Sequence, residues 1–121
     1  MRNYKNLGAW QRADDLTVQI YQVTRRSPAE EMYGIVSQLR QASYSVPANI
    51  AEGAGREPNS DYLRFLSIAQ GSLSETEYFL HLSNRLGYLN ESDWNQITEQ
   101  VNRTFAALIG LMKSVRKSLK S

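Results

Sequence analysis

The sequence predicts an all-α fold, an antiparallel up-down-up-down bundle of four helices. Apolar residues recur at steps of three and four in four separate stretches, and short runs of proline, glycine and asparagine divide those stretches. Nowhere do apolar and polar residues alternate as a half-buried strand demands. Long helices joined by short loops pack most simply with each one antiparallel to its predecessor. At 121 residues the chain is expected to form one domain, 1–121, with a core that needs no covalent staple.

The first helix is expected over 9–26, where Trp10, Ala13, Leu16, Ile20 and Val23 mark one face and Ser27-Pro28 ends the run. The second is expected over 29–53, opened by Pro28 with Glu30 and Glu31 behind it, its stripe running Met32, Val36, Leu39, Ser43, Val46, Ile50. Pro47 lies inside this helix. It removes a backbone donor and crowds the Ser43 carbonyl, so a kink is predicted there. Water or a nearby hydroxyl is expected to satisfy that carbonyl, with Ser45 a candidate cap for the segment beyond. The third helix, 60–86, follows the breaker run Glu57-Pro58-Asn59-Ser60 with Ser60 as cap, and carries Leu63, Leu66, Ala69, Leu73, Phe79, Leu80 and Leu86 to a stop at Gly87. The fourth, 91–119, has Asn90 as cap, acidic Glu91 and Asp93 at its start, and a stripe from Trp94 through Ile97, Val101, Phe105, Leu108, Met112 and Val115 to Leu119.

Composition narrows the chemistry. Cysteine is absent, which removes disulfides, a thiolate nucleophile and thiolate metal sites. The opening MRNYKNLGAW has no apolar run of the secretory type, and no stretch is apolar enough to span a bilayer, so a cytoplasmic protein without a membrane partner is expected. The net charge of +2 conceals an uneven distribution, because from Arg103 onward there are five basic residues and no acidic one. In an antiparallel bundle the start of the first helix, the second loop and the end of the fourth helix share a pole. Arg12, Arg56, Arg64, Lys113, Arg116, Lys117 and Lys120 gather there, together with Arg2 and Lys5.

Gln38, Ser45, Asn49, Glu52 and Arg56 form a polar stripe beside the apolar stripe of the second helix. Small hydrogen-bonding groups there indicate a packed contact, a network pinning the second helix to the third, with Glu52 paired to Arg56 or Arg64; a ligand site is the alternative. Gly53 and Gly55 do not make a phosphate loop, since no Gly-Lys-Ser/Thr follows and a helix precedes them. Glu52, Glu75 and Glu77 do not make a di-iron site, which needs two Glu-x-x-His pairs where this chain has His81 alone. His81 reads as a surface or interface residue, and Trp10 and Trp94 as core. No catalytic constellation, metal set or cofactor motif is present, and an enzyme is not expected.

The stretches QLRQASYSVPANIAEGAGR and DYLRFLSIAQGSLSETEYFLHLSNRLGYL closely resemble the four-helix-bundle family of the 23S rRNA intervening-sequence proteins, which includes the accessory variability determinant proteins of diversity-generating retroelements. The resemblance covers residues 7 to 89. Gln38-Leu39-Arg40, Ser45, Asn49-Ile50-Ala51-Glu52-Gly53, Arg56, Arg64-Phe65-Leu66 and Ser72-Leu73 with Glu75 carry it. Departures fall at Ser27, Gln41 and Thr76. The resemblance implies a left-handed bundle, a ring-like homopentamer, and a subunit that binds RNA and a reverse transcriptase through a basic surface; it implies no enzyme.

Two functions follow as expectations. The first is a non-catalytic, oligomeric RNA-associated accessory protein. Its phosphate contacts are Arg12, Arg56, Arg64, Lys113, Arg116, Lys117 and Lys120, and its structural polar network is Gln38, Arg40, Ser45, Asn49, Glu52 and Glu75. The second is a self-assembling scaffold for a protein partner without RNA, in which the basic end of the fourth helix merely complements the helix dipole.

Overall fold

The computed structural model describes residues 2–120, and the side chain of Lys120 lies outside the described residues. Among the described residues there are four α-helices, α1 (Gly8–Thr24), α2 (Ile35–Ala54), α3 (Asn59–Arg85) and α4 (Glu91–Lys120), with short 3-10 turns at Tyr4–Asn6 and Ala29–Glu31. Among the described residues there is no strand. Each helix packs on the next, and α4 closes back on α1, with the α2–α3 contact the most extensive. Arg26, just beyond α1, pairs with Asp93 in the first turn of α4, and Arg2, ahead of α1, reaches the α2–α3 loop. Both contacts fit helices running in alternate directions.

The core is built by the stripes. Leu16 and Ile20 of α1, Leu39 and Ile50 of α2, Leu66 and Leu73 of α3, and Ile97 and Leu108 of α4 are fully buried. Each such side chain contributes about 1.5–3 kcal/mol relative to exposure. Alanines at Ala9, Ala13 and Ala69 join the same cluster and let the helices approach. The two helices α2 and α3 come close at Gly53, where a Cβ would lie 2.8 Å from Phe65 Cβ and 3.2 Å from the Tyr62 carbonyl oxygen.

Several helix ends follow their chemistry. The Asp93 amide donates to Asn90 Oδ1 at 2.7 Å, capping α4, and Gly87 takes a positive φ of 78° just past α3. Others depart from expectation. The second helix begins at Ile35 and not at residue 29, because Gly34 sits at ψ −116° and breaks the 3-10 turn of Ala29–Glu31 from the helix proper. Tyr33 is left 98% exposed at that break. Ser60 lies within α3, which starts behind Pro58 without a side-chain cap. Leu86 and Leu119, assigned to apolar stripes, are exposed, since each lies at or near the last turn of its helix where the neighbouring helix no longer covers it.

Pro47 is buried within α2, and the helix runs unbroken through it. The Ser43 carbonyl that it deprives of a partner accepts from Thr17 Oγ1 of α1 at 3.0 Å. Ser45 does not cap a new segment. Its hydroxyl meets Ser72 Oγ of α3 at 2.9 Å instead.

Candidate nucleic-acid interface

The polar stripe of α2 divides into separate groups once folded. Ser45 and Asn49 form one of them: Asn49 Nδ2 donates to the Ser45 carbonyl at 2.8 Å and to Ser45 Oγ at 3.0 Å, and Ser45 bridges to Ser72. This is a seam between α2 and α3. Arg40 turns the other way, its Nε donating to Thr24 Oγ1 at 3.0 Å and its guanidinium lying 4.5 Å from the centre of the Tyr21 ring. It places positive charge against the C-terminal carbonyls of α1, where the helix dipole favours it. Glu52 pairs with Arg56 one turn on. Gln38 and Glu75 are exposed and join neither group among the described residues.

The basic residues also separate into two kinds. At the α2–α3 corner two arginines have carboxylates: Arg56 pairs with Glu52 and, at 3.8 Å, with Asp61, and Arg64 pairs with Asp61 at 3.1 Å. Their guanidinium carbons flank the Phe65 ring at 4.9 and 4.5 Å. Arg2 stacks on Tyr62 at 4.3 Å and donates to the carbonyls of Ala54 and Arg56, closing the end of α2. A cleft of about 360 Å³ lies here, lined by Arg2, Ala54, Gly55, Arg56 and Glu57. With Glu52, Glu57 and Asp61 set against Arg2, Arg56 and Arg64, the corner is close to neutral.

The last turns of α4 differ. Lys113, Arg116 and Lys117 are exposed, and no ion pair engages them among the described residues; the same holds for Arg12 on α1. Positions 113, 116 and 117 fall on one side of the helix by their spacing.

A groove of about 410 Å³ opens between α3 and α4 nearer the other end of α3, with Glu77, Tyr78 and His81 on one side and Trp94, Thr98 and Val101 on the other. Trp94, assigned to the core by its place in the stripe, is half-buried: it packs on the core and also lines this groove. Tyr78 is 56% exposed and its ring lies 6.4 Å from that of His81. Thr98 Oγ1 is buried with no hydrogen-bond partner. Sequence reasoning passed over Thr98, because nothing in NQITEQ distinguishes it from any helical threonine. Among the described residues no three His, Asp or Glu side chains come together to hold a metal ion, and no helix is long and apolar enough to cross a membrane.

Two tyrosines are electrostatically displaced. Burial raises the Tyr62 phenol above its ordinary 10.0, opposed by the charge of Arg2, and its hydroxyl has no hydrogen-bond partner. The Tyr88 hydroxyl donates to Glu31 Oε2 at 2.7 Å, and this bond, ahead of desolvation and the nearby carboxylate charges, raises the Tyr88 phenol too.

Residues 5–110 match a protein-family model described as 23S rRNA-intervening sequence protein. Among solved structures, the chain resembles a crystal structure of a protein of unknown function from the S23 ribosomal protein family of Bacteroides thetaiotaomicron. The TM-score is 0.79 at 24% identity, covering 87% of this chain and 95% of that one. At this identity the likeness speaks to the fold. No curated protein matches the chain in sequence.

Proposed function

The chain belongs to the 23S rRNA-intervening sequence protein family, and from that premise we propose that it is a non-catalytic, oligomeric RNA-associated subunit whose phosphate contacts lie at the end of α4. The observation that carries this reading is the contrast between its two sets of basic residues. Arg56 and Arg64 share Asp61, whereas Lys113, Arg116 and Lys117 are exposed without an ion pair among the described residues. Cations already paired to carboxylates release fewer counterions on meeting RNA, so the unpaired patch dominates binding. Arg12, likewise unpaired, lies on the helix that packs beside α4 and extends the patch. Contacts of this kind position a phosphate chain without reading its sequence.

Assembly multiplies the patch. Val18 and Tyr44 on the α1 and α2 surfaces and Ile68 and Tyr78 on α3 are each between 43% and 56% exposed, apolar surface that a second copy would cover. Patches on different helices suit a head-to-tail contact, which closes into a ring when the rotation permits, and the family resemblance favours five subunits. The reading is tested by titrating single-stranded RNA against the full chain over a range of salt, beside light scattering for subunit number. Steep salt dependence that is lost when the α4 cations are neutralised supports it. RNA indifference with a persistent oligomer replaces it by the scaffold function.

A further inference from the structure

We propose that Tyr33 of one copy of the chain seats in the groove between α3 and α4 of a second copy, and that this is the head-to-tail contact of the assembly. The proposal rests on the oligomeric reading above and assigns to it a knob and a hole. Tyr33 is its starting point. It is 98% exposed, whereas the other exposed large apolar side chains among the described residues lie between 36% and 56%. The backbone on either side of it is nevertheless fixed: the Gly34 amide donates to the Glu31 carbonyl at 3.0 Å, and the Glu31 carboxylate accepts from the Tyr88 hydroxyl at 2.7 Å. A turn tied to the α3–α4 loop thus holds an aromatic ring out in water, where it gains no packing from its own chain. That exposure is accounted for if another chain covers the ring.

The groove suits this occupant in lining, position and charge. Its volume of about 410 Å³ takes a whole aromatic side chain, with Trp94 and Tyr78 among its walls beside the buried Leu80 and Val101. The exposed carboxylate of Glu77 gives the phenol O–H an acceptor. No lysine or arginine lines the groove, so a phosphate chain finds no cation there, whereas an uncharged ring needs none. Tyr33 belongs to the connection between α1 and α2, the pair across the bundle from α3 and α4. The groove reaches the same pole through His81, one turn before the end of α3, and Trp94, in the first turn of α4. A rotation about an axis along the bundle preserves height, so a ring needs its two contact surfaces at one level on different sides of the subunit. The flanking charges are complementary. Glu30 and Arg25 near the knob, and Arg85 and Glu91 near the groove, are all exposed and without an ion pair among the described residues. Seating the ring offers Glu30 the guanidinium of Arg85, and Arg25 the carboxylate of Glu91.

Light scattering and circular dichroism on the full chain test this with two variants at exposed positions: Tyr33→Asp removes the knob, and Ser74→Trp fills the groove from its edge. Each is expected to keep the helical signal and to fall from the wild-type mass to that of a single chain. Titrated together, the two are expected to form a pair of twice that mass and nothing larger, because only the groove of the first and the tyrosine of the second remain. Trp94 emission, read in a Trp10→Phe background, is expected to shift to longer wavelength in Tyr33→Asp as the groove loses its cover. Glu30→Arg is expected to weaken the assembly, and Arg85→Glu in the same chain to restore it. If Tyr33→Asp retains the wild-type mass, the oligomer stands but is not made by this contact. If both variants dissociate and do not pair with each other, knob and groove do not meet and the contact is overturned. If the wild-type chain is itself a monomer, the oligomeric reading and this contact fall together.

Discussion

The hydroxyl of Thr17 in α1 is shared between the Ala13 carbonyl of its own helix and the Ser43 carbonyl of α2, each at 3.0 Å, and the Ser43 carbonyl is the one that Pro47 leaves without an amide partner. A proline four residues on cannot donate, and Ser43 is buried away from water. One side chain on a neighbouring helix thus compensates a backbone defect in α2. Thr17→Val is expected to destabilise the protein by about 1–3 kcal/mol, the cost of a buried acceptor left unpaired. In a Pro47→Ala background the helix regains an amide donor for the same carbonyl, and the Thr17→Val penalty is expected to shrink by about 1 kcal/mol or more. Denaturant midpoints for the four members of the cycle check this; equal penalties in both backgrounds would show that the two residues are not coupled.

Glycines in helices separate in the same way into those the packing requires and those it does not. A Cβ at Gly53 would fall 2.8 Å from Phe65 Cβ and 3.0 Å from Tyr62 Cδ1, so Gly53→Ala must push α2 from α3, at about 1–3 kcal/mol. Gly71, in the interior of α3, is exposed, and a methyl group added there would meet nothing within 4 Å. Gly71→Ala is expected to gain about 0.5–1 kcal/mol from the restricted unfolded chain. Thermal melts of the two variants should move in opposite directions.

The helices were legible because burial imposes a period, and Leu66, Leu73 and Leu80 repeat it without interruption. The start of α2 was not. Pro28, Glu30 and Glu31 do initiate a turn, yet Gly34 breaks it, and a stripe that includes Met32 gives no sign of that break. Arg40 illustrates a second limit. A polar stripe shows which face a residue occupies but not which neighbour it meets, and Arg40 reaches Thr24 of α1 while Ser45 reaches Ser72 of α3. The pairing of Glu52 with Arg56 or Arg64 was legible in the spacing and is met by Arg56, whereas that Asp61 comes within range of both arginines is set by the fold. Thr98 lies beyond sequence reasoning altogether, since whether a helical hydroxyl bonds back to its own helix is decided by its rotamer.

Tyr62 predicts how the fold responds to alkali. Its phenol is raised above 10.0 in the folded protein by burial, so between the unfolded and folded values the unfolded chain loses its proton first. The unfolded state then binds fewer protons, and stability falls as pH rises. The contribution is complete below pH 10 and declines above it. Tyr62→Phe is expected to flatten this decline and to leave stability at neutral pH unchanged or slightly higher, because the hydroxyl it removes has no hydrogen-bond partner. Chemical denaturation at neutral pH and above pH 10 provides the comparison; an unaltered alkaline slope in the variant would assign the loss to other groups.

The two sets of basic residues make different contributions to salt dependence. Each cation that replaces a counterion on single-stranded RNA adds about 0.7 to the slope of log affinity against log salt. Neutralising Lys113, Arg116 and Lys117 to Gln is therefore expected to reduce that slope by roughly 2. Arg56→Gln with Arg64→Gln should change it much less, because Asp61 and Glu52 already hold those guanidinium groups and are released as uncompensated negative charge when the arginines are lost. That released charge repels RNA, so the corner variant is expected to weaken binding with little change of slope, whereas the α4 variant loses both. Filter binding at several salt concentrations distinguishes them. Equal slopes for the two variants would mean that RNA breaks the Asp61 pairs and recruits the corner arginines, and the division between paired and unpaired cations would then not govern the interface.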